Sequence, residues 1–450
     1  MNMSNGILVR RREAHVLYLS CLACIVLLLG GLGYKLWLHS DTYTSSLLGS
    51  VPDRLTNQNG PNNGANPSML NESDLSGLKY SFIMPTYTPD IPLAIEFLQS
   101  FMCLCTDYRE IKIHMIVSDS YEQETLRAAI KNDLVPCGER FSIFPVPPGN
   151  VGGPRPDVDI INLFDILPPV FHSLAESKGG GGKITADDTS ALLKMLGKFE
   201  YQTVKKLAAA LALDYDWALW LDSESIVVQP FSIRTMFDAY ARAPTVWRSR
   251  MTNKDDMRNI TRGVAGILGL PVHTFGAKYW NLESQAWMVE RRVLDQLVRH
   301  VEAVHGGEEF WAVWAAHDGP FEVNLYNTFV QLRKLETADP LFGKYRIFET
   351  ETVMRKYGVL DATTEKIKDL MRGTGLLERN YFLLRVPGIP PRFSSMLRDY
   401  DLHIIRLDTV EGMVPEEIDH LLLDTPIYML CAAVPPLHKW WKERNVVVGN

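Results

Sequence analysis

Residues 217–228 read WALWLDSESIVV. An apolar run ends abruptly in Asp222-Ser223-Glu224, and a second apolar run follows directly. Such a run reads as a buried strand. Unpaired carboxylates are costly in that setting, and a divalent cation removes the cost. The competing reading is a solvated turn between two strands, with Ser223 as a turn residue. The letters alone carry little, because D-x-[DE] occurs four times, starting at Asp157, Asp214, Asp222 and Asp399. Only the occurrence at Asp222 closes a continuous apolar strand. In open α/β sheets ligands bind beyond the carboxyl ends of the strands, which is where Asp222 and Glu224 would lie.

Working outward, the segment GKFEYQTVKKLAAALAL just upstream is a strong helix by composition. Tyr201, Val204, Leu207, Ala208 and Leu211 form its expected buried face, while Lys198, Lys205 and Lys206 are expected on a solvated one. Further upstream, Tyr80–Met84 is strand-like and stops at Pro85-Thr86-Tyr87. Ile91, Ile95, Leu98 and Met102 follow at helical spacing. IKIHMIVSD then gives a second strand ending at Ser118-Asp119, followed by a helix with Leu126 and Ile130 on one face. This alternation predicts an α/β fold with a mostly parallel central sheet flanked by helices.

Residues 145–197 break the rhythm with Pro145, Pro147, Pro148, Pro154 and Pro156 and the glycines 179–182, and predict a long irregular loop. The glycine run is no phosphate-binding loop: Ser177 stands at the first glycine position and Ile184 where Ser or Thr is required. Downstream, a helix is expected from about Thr235, short strands at TVWRSR and KYWNLESQAWMV, and a helix over ERRVLDQLVRHVEAV. The stretch from about 340 to 450 is less regular.

The chain of 450 residues is 46% hydrophobic and 22% charged, the balance of a globular protein. A net charge of -7 argues against a broad nucleic-acid surface, so no nucleic-acid partner is expected. Arg10, Arg11 and Arg12 precede an uncharged stretch from Val16 to Tyr34. That stretch is long enough to cross a bilayer, and the arginines predict a cytoplasmic N-terminus. A cleaved signal peptide would have a shorter apolar region and a small-residue cleavage site. The expected layout is therefore a cytoplasmic tail at 1–15, a transmembrane signal anchor at 16–38, a flexible stem at 39–78 and a folded domain at 79–450. Asn71-Glu72-Ser73 and Asn259-Ile260-Thr261 are glycosylation sequons on the lumenal side of that layout. Cys103, Cys105, Cys137 and Cys431 remain in the folded part, enough for one or two disulfides whose pairing the spacing leaves open.

Taken together, FIMPTY, MIVSD, YQTVKK, WALWLDSES, WNLESQAW and FEVNLY resemble the GT-A class of nucleotide-sugar-dependent glycosyltransferases. The resemblance spans about residues 79–330 and extends to the type II anchor and stem. It implies a GT-A-like fold and transfer of a sugar from a nucleotide sugar to a glycan or glycoconjugate acceptor. It also implies a Golgi or ER membrane location with the catalytic domain in the lumen. A catalytically inactive relative that binds glycans or partners is the alternative. Asp222 and Glu224 would hold Mn2+ or Mg2+ against the donor diphosphate, although the family motif ends in Asp where this chain has Glu224. His438, or His403, is implied as a third ligand. Pro85, Thr86, Tyr87, Asp119 and Ser223 would line the donor site, with Lys198, Lys205 or Lys206 adding positive charge. Glu322 is implied as the base toward the acceptor, with Glu283 as runner-up for that role or for acceptor binding. Trp280, Trp287, Trp311 and Trp314 are candidates for stacking on sugars, most of them expected in the core.

Overall fold

The computed structural model describes residues 75–177, 183–248, 255–271, 287–317, 319–360, 388–406 and 425–431. The chain divides into units 1–66 and 67–450. The first unit, with the predicted tail and anchor, lies outside the described residues, as does all but the end of the stem. Among the described residues no helix is long and apolar enough to cross a membrane. Leu75, near the end of the predicted stem, is buried in the core, so the folded part reaches back to it.

The first strand, β1 (Tyr80–Pro85), is buried along its whole length. Helix α1 (Ile91–Leu104) follows, then β2 (Lys112–Val117) and helix α2 (Ser120–Asp133). β1 and β2 pair in parallel, Ser81 opposite Lys112 and Pro85 opposite Ile116. The predicted loop at 145–197 instead contains β3 (Val158–Asn162), paired in parallel with β2, and helices at 163–166 and 169–177. Four of the five β3 residues are only half-buried, as befits an edge strand, and its neighbouring prolines lie outside the ladder.

Helix α3 (Ser190–Ala212) leads into β4 (Trp217–Trp220), which pairs in parallel with the other side of β1. α3 is broken at Gly197, whose φ of 76° is a left-handed conformation that glycine adopts without a Cβ penalty. Beyond Asp222 come β5 (Ser225–Val227), helix α4 (Ile233–Arg242) and β6 (Thr245–Arg248). After a helix at 255–267, β7 (Met288–Glu290) runs antiparallel to β4 and completes a sheet ordered β3-β2-β1-β4-β7. Helices α5 (Arg291–Val304) and α6 (Glu322–Glu336) flank it, and β8 (Arg346–Glu349) pairs with β6. The last strands, β9 (Ile404–Arg406) and β10 (Met429–Cys431), are parallel to each other, and β10 pairs antiparallel to β5.

The core runs on both sides of β1. Phe82 packs 5.2 Å from Phe101 and 6.0 Å from Phe97 on α1, and all three rings are fully buried. Burying a side chain of this size contributes about 1.5–3 kcal/mol. Cys103 at the end of α1 is joined to Cys137, which settles the disulfide pairing for those two, while Cys105 is buried and reduced.

The register places one functional edge. Thr86 N–H donates to the Ile116 carbonyl, and Leu221 N–H donates to the Ile83 carbonyl. Thr86, Ser118 and Asp222 therefore emerge side by side at the carboxyl ends of three parallel strands. Antiparallel β7 brings Trp287 to the same edge, where the Trp220 N–H donates to its carbonyl.

Candidate functional site

Past the Gly197 break, α3 presents two stripes to this edge. Lys198, Tyr201 and Lys205 lie at i, i+3 and i+7 and face the ends of β1 and β2. Lys198 Nζ donates to Tyr87 OH at 2.9 Å. Lys205 Nζ donates to the Thr86 carbonyl at 2.8 Å and to Ser118 Oγ at 2.9 Å, and sits 4.0 Å from Glu122. Glu122 accepts from the backbone N–H groups of Thr88 and Ser118, and Asp119 caps α2 by accepting from Glu122 N. These bonds tie the two strand-end loops into one body. Burial pushes the Lys205 ammonium down to about 8, against the opposing pull of Glu122, Asp119 and Asp90.

The second stripe is Phe199, Gln202, Thr203 and Lys206, at i, i+3, i+4 and i+7. Gln202 Nε2 donates to Asp222 Oδ1 at 2.9 Å. Lys206 Nζ lies 2.7 Å from the same oxygen and 3.1 Å from Glu322 Oε1. Thr203 Oγ1 donates to the other Glu322 oxygen at 2.8 Å. The ammonium also sits 4.6 Å from the centre of the Trp287 ring, within cation–π range. Burial pushes Lys206 down, but Asp222 and Glu322 outweigh it, and the group ends above its ordinary value. One buried lysine thus joins the carboxylate at the end of β4 to the one at the start of α6.

Asp222 and Ser223 are buried, so the 222–225 turn is not a solvated one, although the Ser225 N–H does close it onto the Asp222 carbonyl. Ser223 Oγ donates to Asp90 Oδ2 at 3.2 Å. Burial holds the half-buried Asp90 carboxyl above its usual range, with Asp222 adding to the rise and Ser223 and Lys198 opposing it. Glu224 is half-buried and raises Lys198, whose largest upward influence is the bond to Tyr87. Among the described residues Thr86 Oγ1 is buried without a hydrogen-bond partner.

The edge therefore gathers Pro85, Thr86, Tyr87, Asp119, Lys198, Lys205, Asp222, Ser223, Glu224 and Glu322. Lys205 and Lys206 are buried, not on the solvated face expected of them; Lys198 is exposed. Glu283, His438 and Trp280 lie outside the described residues. His403 stacks on Tyr428, its Nδ1 2.9 Å from the Pro426 carbonyl, beside the β9–β10 pair. Trp287, Trp311 and Trp314 are core residues. Among the described residues no three His, Cys, Asp or Glu side chains converge as a ready metal site. Sequence reading missed Asp90, Glu122, Gln202 and Thr203. Of these, Glu122 carried a usable signal, since Asp119-Ser-Tyr-Glu122 has capping-box spacing.

No protein-family model matches the chain, and no curated protein matches it. Solved structures similar to it include mouse xyloside xylosyltransferase 1 in its apo form. That match has a TM-score of 0.31 and 12% identity over 60% of this chain and 85% of that one. S. aureus TarS is similar at a TM-score of 0.27 and 12% identity, over 72% of this chain and 48% of that one. A TarS fragment in complex with UDP-GlcNAc is similar at a TM-score of 0.24 and 12% identity, over 72% of this chain and 80% of that one.

Proposed function

We propose that the protein is a nucleotide-sugar-dependent glycosyltransferase that moves a sugar to a glycan or glycoconjugate acceptor. The observation that carries this reading is the Lys206 bridge, which holds Asp222 and Glu322 together at the carboxyl edge of a parallel sheet. Ligands of α/β sheets bind at that edge. The resemblance to GT-A enzymes assigns to the same two residues the donor and acceptor ends of one reaction.

In this reading Thr86, Tyr87 and Asp90 border the nucleotide, and Lys198 offers an exposed cation to the diphosphate. Asp222 and Glu224 would hold Mn2+ or Mg2+; when bound, such an ion neutralises charge on the leaving diphosphate. The residues fit an ion that arrives with the donor. Two carboxylates suffice where phosphate oxygens and water complete the shell, a usual arrangement for Mg2+. The acceptor oxygen forms a bond to the anomeric carbon as the bond from that carbon to the phosphate oxygen breaks. The acceptor proton passes to the Glu322 carboxylate, which Thr203 and Lys206 orient, and the nucleoside diphosphate leaves. In the same reading the enzyme is a single-pass type II protein of the Golgi or ER membrane, with this domain in the lumen.

One observation favours a second reading, an inactive relative that binds glycans or partners. Lys206 already engages Asp222, one of the two carboxylates assigned to the metal, so that charge is compensated without an ion. A thermal-shift screen of nucleotide sugars, with and without Mn2+, separates the two. A ligand bound to the native state raises its apparent stability. The enzyme reading expects a Mn2+-dependent rise with at least one nucleotide sugar, lost in Asp222→Ala. No rise with any donor refutes it.

A further inference from the structure

The stripe that carries Gln202, Thr203 and Lys206 begins with an aromatic ring that the transfer chemistry does not use. Phe199 is 44% exposed, although a phenyl ring belongs in the core. Its ring stacks on Phe321, centroids 4.9 Å apart and planes within 17° of parallel. Phe321 in turn meets Trp287 edge-on at 5.9 Å, and Trp287 carries the Lys206 ammonium on its face. The aromatic column therefore runs from solvent to the buried bridge between Asp222 and Glu322. It is also held in place. Gly319 N–H donates to Glu200 Oε1 at 2.8 Å, which fixes the approach to Phe321 against α3. Phe321 directly precedes Glu322.

We propose that the Phe199–Phe321 stack is the platform on which a saccharide ring of the acceptor rests. The inference rests on the transferase reading above and deepens it by naming where the acceptor lies. A flat apolar face next to a few buried polar groups is the usual make-up of a small-ligand site. The apolar face of a sugar ring matches such a surface, and the inner ring of the stack, Phe321, directly precedes Glu322. The nucleobase is the poorer occupant, because Tyr87, Lys198 and the β1–β2 ends that border the donor lie on the other stripe of α3.

The test compares wild type, Phe199→Ala and Phe199→Tyr in the full chain. One measurement is binding to an array of neutral hexose, pentose and N-acetylhexosamine oligosaccharides, with UDP and Mn2+ present. The other is the thermal shift produced by UDP and Mn2+ alone. Loss of the exposed ring should weaken oligosaccharide binding roughly tenfold, the worth of one aromatic contact. Phe199→Tyr should keep it, and the UDP shift should be the same in all three. Oligosaccharide binding unchanged in Phe199→Ala overturns the proposal, as does wild type that binds no oligosaccharide. Should UDP give no shift while Phe199-dependent oligosaccharide binding persists, the nucleotide-sugar reading fails and the platform stands.

Discussion

Replacing Lys206 with Met removes the charge and keeps most of the side-chain volume. The Lys206 side chain is 1% exposed, and its partners Asp222 and Glu322 are 7% and 1% exposed. The substitution therefore leaves two buried carboxylates facing each other without their shared cation. Breaking a buried pair by removing one partner costs about 3–5 kcal/mol, most of it the cost of the uncompensated charge. Because the folded-state pKa of Lys206 is raised, its contribution is complete below the ordinary lysine value. It is lost only as pH climbs through the higher folded value, so at pH 7 the full effect is present. In the variant a carboxyl is expected to take up a proton instead, which makes the loss smaller at pH 5 than at pH 8. Urea unfolding of wild type and variant at both pH values measures this. Adding Glu322→Gln to Lys206→Met should recover part of the loss, since one buried charge is then gone. A loss below about 1 kcal/mol at both pH values would refute the argument that this bridge holds the edge together.

Three further outcomes follow from the same geometry. Lys205→Met should remove a pH dependence: the depressed lysine makes wild type gain stability relative to the variant as pH rises from about 8 toward 10.5, and parallel pH curves would count against it. Reducing Cys103–Cys137, or Cys103→Ser, frees a loop of 34 residues and should cost about 3–4 kcal/mol in urea unfolding, whereas an unchanged midpoint would contradict the pairing. Asp119→Ala removes the cap of α2 and should lower stability by about 1 kcal/mol, which an unchanged unfolding curve would disprove.

The strands that build the edge were readable because β1, β2 and β4 are short apolar runs ended by polar residues. Helix α3 was readable from Gly197 onward because its alanines and leucines favour helix in any context, whereas its first turns, Ser190 to Leu196, fall in the expected loop. β3 was not readable, since four residues of Val158–Asn162 are only half-buried and the strand follows prolines, which leaves neither an apolar run nor a clean alternation. The burial of Lys205 and Lys206 was hidden for a different reason. Lysine is almost never fully buried, and only the tertiary arrival of Ser118, Thr86, Asp222 and Glu322 around α3 makes it possible here. The apolar stripe of α3 gave the helix but not the two polar stripes beside it. Asp90 and Gln202 gave no signal in sequence because their partners are 133 and 20 residues away.

A nucleotide-sugar-dependent transferase must consume its donor. Purified full-length protein is incubated with Mn2+ and each common nucleotide sugar, with and without oligosaccharide acceptors, and release of nucleoside diphosphate is followed. Release is expected from at least one donor, faster with an acceptor, and reduced at least about 100-fold in Asp222→Asn that still unfolds cooperatively. Folded wild type that consumes no donor, or an Asp222→Asn rate equal to that of wild type, would contradict it.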